Sequence, residues 1–313
     1  MNIFLGNPPE NIKQWIIEHY TPPTPAAGPL CFTSEQDGSS VSLIGWNDYM
    51  DEPIDIFASL QYSTDNNTWQ EWDGHVINLD AGQKVYIKAL NPNLDGMTQD
   101  RDNGMKCHKF IFEGKIVASG SIQYLLEDTG SRTDVPAHAY YRLFQGCDSL
   151  VSAPELPATT LADYCYYSMF DGCASLTQAP ALPATALSDR CYRNMFSGCT
   201  SLTQAPALPA TTLAEDCYSY MFYLCTSLTQ APEIKTYTQN LYAYEEMLTG
   251  SLGKLTTCIW SDLTISEAES MILNEYIFGF DDSGFGVRIS ITCKDGSGVA
   301  YYDSGKSSWV FEY

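Results

Sequence analysis

The sequence predicts a multidomain α+β protein: an N-terminal helix, a β-sandwich, a repeat solenoid and a small C-terminal α+β domain. Three observations carry that expectation. Phe144, Phe170, Phe196 and Phe222 fall 26 residues apart, as do Cys147, Cys173, Cys199 and Cys225. A fixed period between about 20 and 50 residues marks a stacked array in which each unit buries its apolar face against the next. Upstream, short β-rich runs alternate with Asn, Asp and Gly turns. Downstream, a helix start is followed by three strand-like runs.

Taken in order, residues 1–30 read as a separate unit. Asn7 offers a cap, prolines occupy the first turn, and Ile12, Trp15 and Ile16 share one face with His19. The Pro-rich stretch that follows, residues 21–29, favours polyproline II and acts as a semi-rigid spacer. A helix of about 12 residues is marginal alone, so Ile12, Trp15 and Ile16 are expected to anchor the chain in a partner's groove. Residues 31–130 are expected to form an antiparallel β-sandwich. Within it, "YSTDNNTWQEW" resembles an Asp-box hairpin, in which Asp65 caps a tight turn, a device of the fold. The loop 91–104 carries several Asp but lacks the alternating ligands and distal Glu of an EF-hand loop, so whether it holds calcium stays open.

The repeats are expected over residues 131–258, with a decayed fifth copy that places Leu248 26 residues after Phe222 and caps the stack. Leu161, Cys165, Tyr166, Met169, Phe170 and Cys173 stand at helical spacing, which predicts a helix in each copy. Residues 175–183, short and Pro-bearing, supply the strand. That leaves Thr177 and Gln178 outside, with Thr203, Gln204, Thr229 and Gln230 above them. Residues 259–313 are expected to form a small α+β cap, its helix opened by a capping box of Ser266 and Glu269.

The block "MF.GC.SL" and the Leu/Pro-rich strand after it resemble the BspA-like leucine-rich repeats. The match is close for residues 140–232 and extends less specifically to a sandwich that precedes such arrays. The resemblance implies a non-enzymatic interaction module on surfaces of gut bacteria or on virions of their phages. Secreted bacterial members carry a signal peptide or a lipoprotein Cys, and neither is recognisable here. The leading expectation is therefore a virion accessory protein, a head or tail fibre component. It would be held to capsid or tail proteins by its N-terminal helix and would present Thr177, Gln178, Thr203, Gln204, Thr229 and Gln230 to a host-surface glycan or protein. Tyr167 and Tyr220, beside the inward tyrosines, would add aromatic contacts. A bacterial cell-surface adhesin is the alternative. A homo-oligomer, a trimer among the options, fits either setting.

Composition narrows the classes. Sixteen Lys and Arg against 38 Asp and Glu give a formal charge of −22, which repels phosphate backbones and anionic lipid. No nucleic acid partner, no membrane insertion and a chain that stays soluble are expected. No nucleophile elbow and no H-E-x-x-H motif occurs, and the four His are scattered. Neither catalytic residues nor a cofactor or metal are expected. Glu71 and Asp73 could mimic a glycosidase pair, but any chain with 38 acids yields such pairs by chance. The seven cysteines at repeat positions are expected to be buried and reduced, because equivalent rungs point their Cβ bonds in parallel.

Overall fold

A computed structural model of the chain describes residues 28–313, except 57, 92–96, 102–103, 239–241, 253, 256, 275–276, 280–287, 304–305 and 307. Period two builds the first half. In β2 (Ser39–Asn47), Val41 and Leu43 are buried while Ser42, Ile44 and Trp46 are partly exposed, the alternation of a half-buried strand. The other strands are β1 (Leu30–Ser34), β3 (Glu52–Ile54), β4 (Leu60–Ser63), β5 (Gln70–Trp72), β6 (Ile77–Leu79), β7 (Lys84–Ala89), β8 (Thr98–Arg101), β9 (Gly104–Glu113) and β10 (Ile116–Ser119). They form one sheet in the order β10-β1-β7-β4-β5 and another in the order β3-β2-β9-β8, with β6 also paired to β2. Phe32 of β1 meets Phe110 and Phe112 of β9 edge-on at 4.9 and 5.0 Å, which locks the sheets face to face.

From residue 137 the structure corrects the expectation. Among the described residues there is one α-helix, α1 (Ile265–Asn274), and one 3-10 turn at Ile122–Leu125; the rest is strand, turn and irregular chain. The protein is mostly β in several sheets rather than α+β, and the helix-and-strand solenoid is not what forms. No described residue belongs to an N-terminal helix; the stretch carrying Ile12, Trp15 and Ile16 lies outside the described residues. The proposed strand at 175–183 reduces to one isolated bridge, between Ser152 and Gln178. Short pairs do occur lower down, where β11 (Asp134–Val135) lies parallel to β13 (Thr160–Leu161) and β12 (Leu150–Ser152) joins the edge of β10.

The reason no helix forms lies in the backbone. Each copy turns left-handed at every fourth residue, as at Arg190, Asn194 and Gly198 with φ of 55°, 57° and 70°. An α-helix needs right-handed φ throughout and bonds each N–H to the carbonyl four residues back. Here alternate N–H groups instead reach the next copy: Tyr192 to Cys217, Asn194 to Ser219, Phe196 to Met221 and Gly198 to Tyr223, at 2.7–3.1 Å. Those between them fold back three residues, Met195 to Tyr192 and Cys199 to Phe196, at 3.2 and 3.1 Å. A ribbon of period four also brings i and i+4 to one side, which is why its apolar spacing imitates a helix.

Side chains stack with the ribbon. Phe144, Phe170, Phe196 and Phe222 form a fully buried column with centroids 5.3, 5.6 and 5.7 Å apart and planes within 9°. Tyr140, Tyr166, Tyr192, Tyr218 and Tyr244 form a second, at 5.5–5.8 Å. A third column is made of thiols: Cys173, Cys199 and Cys225 donate to the carbonyls of Phe144, Phe170 and Phe196 at 3.1–3.2 Å. In the fifth copy Ser251 makes the same bond to Phe222. All eleven cysteines are buried thiols outside any disulfide.

The sandwich closes the lower end by imitating a copy. Phe110 stacks on Phe144 at 5.1 Å, its N–H donates to Leu143, and its carbonyl accepts the Cys147 thiol at 3.1 Å. At the upper end Leu248 donates to Ile277. Beyond it, β14 (Thr257–Trp260) lies parallel to β15 (Arg288–Cys293), which continues antiparallel into β16 (Gly296–Asp303) and β17 (Ser308–Glu312). The helix α1 between β14 and β15 begins two residues earlier than expected. Thr264 and Glu267 form its capping box, with Glu267 N–H donating to Thr264 Oγ1 and Thr264 N–H to Glu267 Oε2; Ser266 and Glu269 do not.

Candidate functional site

The outward rows follow from the inward ones. Leu176, Leu202 and Leu228 are fully buried, so the two residues after each are turned to solvent, and Thr177, Gln178, Thr203, Gln204, Thr229 and Gln230 are all exposed. The structure divides this row in two. Thr229 N–H and Oγ1 both donate to the Thr203 carbonyl at 3.2 Å, and Thr177 does the same to Val151 at 3.3 and 3.4 Å. These threonines belong partly to the frame. The amides of Gln178, Gln204 and Gln230 have no side-chain bond among the described residues and are free to meet a ligand.

The turn ribbon carries a second surface, of which the sequence pattern singled out only Tyr167 and Tyr220. His138 stacks on Tyr164 at 4.8 Å, Tyr141 on Tyr167 at 5.0 Å, and the Arg190 guanidinium lies over Tyr164 at 5.5 Å. Arg190 also binds Tyr164 Oη, Glu215 and Asp216 at 2.7, 2.8 and 2.9 Å, while Arg193 reaches Asp216 at 2.6 Å and covers Tyr220. Burial works against the charge of Arg190, but the bonds to Asp216 and Tyr164 outweigh it and hold the guanidinium protonated. Burial, with Glu245 and Glu246 beside it, pushes the Tyr220 phenol up to about 12. Tyr141 covers one face of Tyr167 and the Arg193 guanidinium lies over Tyr220, so both rings brace the ribbon. A signal existed in the sequence, since His138 and Tyr164, Tyr141 and Tyr167, and Tyr164 and Arg190 each stand 26 positions apart.

Among the described residues, two shallow clefts of the sandwich bear on the candidate chemistry. One, of about 440 Å³, is lined by Glu71, Trp72, Asp73, His75, Ser59 and Leu60 among others. Asp73 and His75 are 2.6 Å apart, and that bond, first of its causes, holds the Asp73 carboxyl below its ordinary value. Trp72 Nε1 is bonded to the His75 carbonyl at 2.9 Å and Ser59 Oγ to Asn91 at 3.1 Å. With Asp73 ionised and paired to a side chain of its own strand end, it is not a proton donor of the kind a glycosidase needs. The other cleft, of about 540 Å³, lies between the Asp65 hairpin and the β6–β7 turn.

Asp65 does what the hairpin reading requires. Its Oδ1 accepts the N–H groups of Asn67 and Thr68 at 2.8 and 2.7 Å, and its Oδ2 accepts Thr68 Oγ1 at 3.0 Å. Those backbone bonds hold its carboxyl far below the usual range. The calcium question at 91–104 falls largely on residues 92–96 and 102–103, outside those described. Among the described residues no group of three His, Cys, Asp or Glu is placed to hold a metal ion, and no helix is long and apolar enough to cross a membrane. No family model, no curated protein and no solved structure matches the chain.

Proposed function

We propose that the protein is a non-enzymatic binding protein whose repeats present a periodic polar row to an extended ligand on a host cell surface, and that a phage particle carries it. One observation supports the reading above others: Gln178, Gln204 and Gln230 are exposed, unbonded and held at successive levels of a stack that cannot slide, since its backbone, aromatic and thiol columns all share one register. Each amide offers two donors and an acceptor. A single such contact is weak, but three on one rigid body bind a repeating glycan or a strand-like protein edge together, at an effective concentration set by the scaffold. The virion setting rests on the repeat resemblance and on Ile12, Trp15 and Ile16 as an anchoring pattern.

The test is binding of purified protein to intact cells and extracted surface polysaccharide from a panel of gut bacteria. The triple variant Gln178→Ala, Gln204→Ala, Gln230→Ala should lose about tenfold or more in affinity while melting at the same temperature. Undiminished binding by the triple variant refutes the row as the ligand surface. For the setting, deletion of residues 1–20 should leave the melt unchanged and abolish co-purification with particles; retention on particles refutes the anchor.

A further inference from the structure

We propose that the cleft of about 540 Å³ on the sandwich is a binding site for a neutral pyranose sugar, held by Thr64, Asn78, Lys84 and Tyr86. This site is separate from the Gln row and does not depend on it. Its volume falls within the range of about 300–1,000 Å³ typical of small-ligand sites.

The walls are fixed by bonds that leave the lining groups idle. Gly82 N–H donates to Ser34, Gln83 N–H to Asp80, and Asp80 N–H to Gln83 Oε1, at 2.8, 3.0 and 2.8 Å, so the β6–β7 turn is pinned from three sides. The opposite wall is the hairpin closed by Asp65. By contrast, the side chains of Thr64, Asn78, Lys84 and Tyr86 make no hydrogen bond or ion pair among the described residues. Lys88, two residues beyond Tyr86, is engaged over the Trp69 ring at 4.4 Å. Among the described residues Lys84 has no such partner, although the chain carries 38 acids to its 16 bases. The pinned frame holds these groups on ordered backbone, so a ligand meets only the cost of fixing their side chains.

The kinds of group decide the ligand. Asn78 both donates and accepts, Lys84 donates only, Thr64 and Tyr86 do either, and Asp65 Oδ2 retains an acceptor position beyond its bond from Thr68. Such a mixture matches vicinal hydroxyls, each of which donates one bond and accepts others. Tyr86 lies on the same side of β7 as Lys84 and is half-buried, so it adds a ring for the apolar C–H face of a sugar. Added alkyl groups would find little here, since Leu79 is buried and Gly82 contributes only backbone. A carboxylated sugar would face Asp65, whose ionised state its backbone bonds secure. The neighbouring cleft fails the same criteria because Asp73, His75 and Trp72 are spent on one another.

Saturation-transfer NMR on the full chain tests the site with methyl glycosides of glucose, galactose, mannose and N-acetylglucosamine, each at about 10 mM, a concentration suited to millimolar affinities. Glucuronate and inorganic phosphate serve as charged controls. At least one neutral glycoside is expected to bind. Asn78→Ala and Lys84→Met should each weaken it about tenfold, whereas Gln178→Ala, Gln204→Ala, Gln230→Ala should leave it unchanged. Both cleft variants replace exposed side chains, and an unaltered melt certifies their fold. No transfer to any neutral glycoside, transfer only to the charged controls, or binding indifferent to both cleft variants overturns the proposal. Loss of binding in the Gln variant alone would also overturn it, by moving the sugar to the repeat row.

Discussion

Replacing Phe196 by Ala removes a ring covered on both faces, by Phe170 at 5.6 Å and 1° and by Phe222 at 5.7 Å and 9°, with no exposure to solvent. Truncating a buried Phe to Ala costs about 3–5 kcal/mol, and each stacked pair adds about 0.5–1.5 kcal/mol beyond area burial. Two lost pairs in an interior held by register, which cannot collapse onto the gap, place the variant near the upper end, at about 4–5 kcal/mol. At roughly 2–4 °C per kcal/mol for a domain of this scale, the melt should fall by about 10 °C. The fifth copy supplies a control, because Leu248 occupies the column position above Phe222 and is itself fully buried. Phe196→Leu should therefore cost only about 1–2 kcal/mol. The assay is thermal and urea unfolding of the three proteins side by side. A fall of less than about 2 °C for the Ala variant, or equal losses for Ala and Leu, would refute the claim that the column is a stability-bearing core.

Three further outcomes are expected. Cys199→Ser should stay within about 1 kcal/mol of wild type, since Ser251 already makes the equivalent bond to Phe222, and thiol titration should find the cysteines unreactive until the chain is denatured. Acid should weaken the fold through His108: burial lowers its value to about 4, its Nδ1 meets the Met97 carbonyl at 2.8 Å, and its Nε2 accepts Ala58 N–H at 3.3 Å. The unfolded chain then binds the proton first, so stability is level above about pH 6.5 and falls toward pH 4 by about 3 kcal/mol, a slope that unfolding of His108→Gln should lack. Deletion of residues 191–216, one whole period, should give a folded chain shorter by one level, about 5 Å for copies joined by backbone hydrogen bonds, by small-angle scattering; a variant that fails to fold would show that the copies are not interchangeable.

Much of this was legible in the sequence, and the exception has a clear cause. The period fixed which residues stack, and the alternation in β2 and β7 fixed which face inward. The conformation inside each copy was not legible from apolar spacing, because a ribbon turning every four residues and a helix of 3.6 residues per turn align nearly the same side chains over eight positions. The distinguishing signal was the residues themselves. Gly146, Gly172, Gly198 and Gly250 recur at φ of 70–76°, where a helix interior disfavours glycine. The capping box was misplaced because Thr264–Glu267 and Ser266–Glu269 both fit its spacing, and only the backbone bonds choose between them. The cleft was not legible because it joins the 64–65 turn to residues 78–86 across two sheets, a proximity that no local pattern encodes.

The same frame separates positions that hold the stack from positions that are free to change. A residue whose side chain lies in one of the buried columns is fixed by the copies above and below it, and Tyr, Phe and Cys recur there, whereas an N–H that reaches the next copy leaves the side chain free to differ, as at Arg142, Ser168, Asn194 and Tyr220. Leu224 stands at the glycine position of the ribbon in the fourth copy, with φ of 58° and 43% exposure. A branched apolar residue in the left-handed region costs about 1–2 kcal/mol. Part of that is recovered, since Leu224 lies over Gly250 so closely that a Cβ there would meet its Cδ2 at 2.5 Å. Leu224 therefore fills space that glycine left empty in the other copies, and at Gly250 above it a side chain would have to push Leu224 aside as well as adopt a φ of 72°. Variation of this kind is local repair of the frame. The Gln row varies in the opposite sense: it is identical in three copies, yet no bond of the frame requires an amide there. The proposed ligand-facing role of the row expects this, and the affinity of the triple Gln variant tests it.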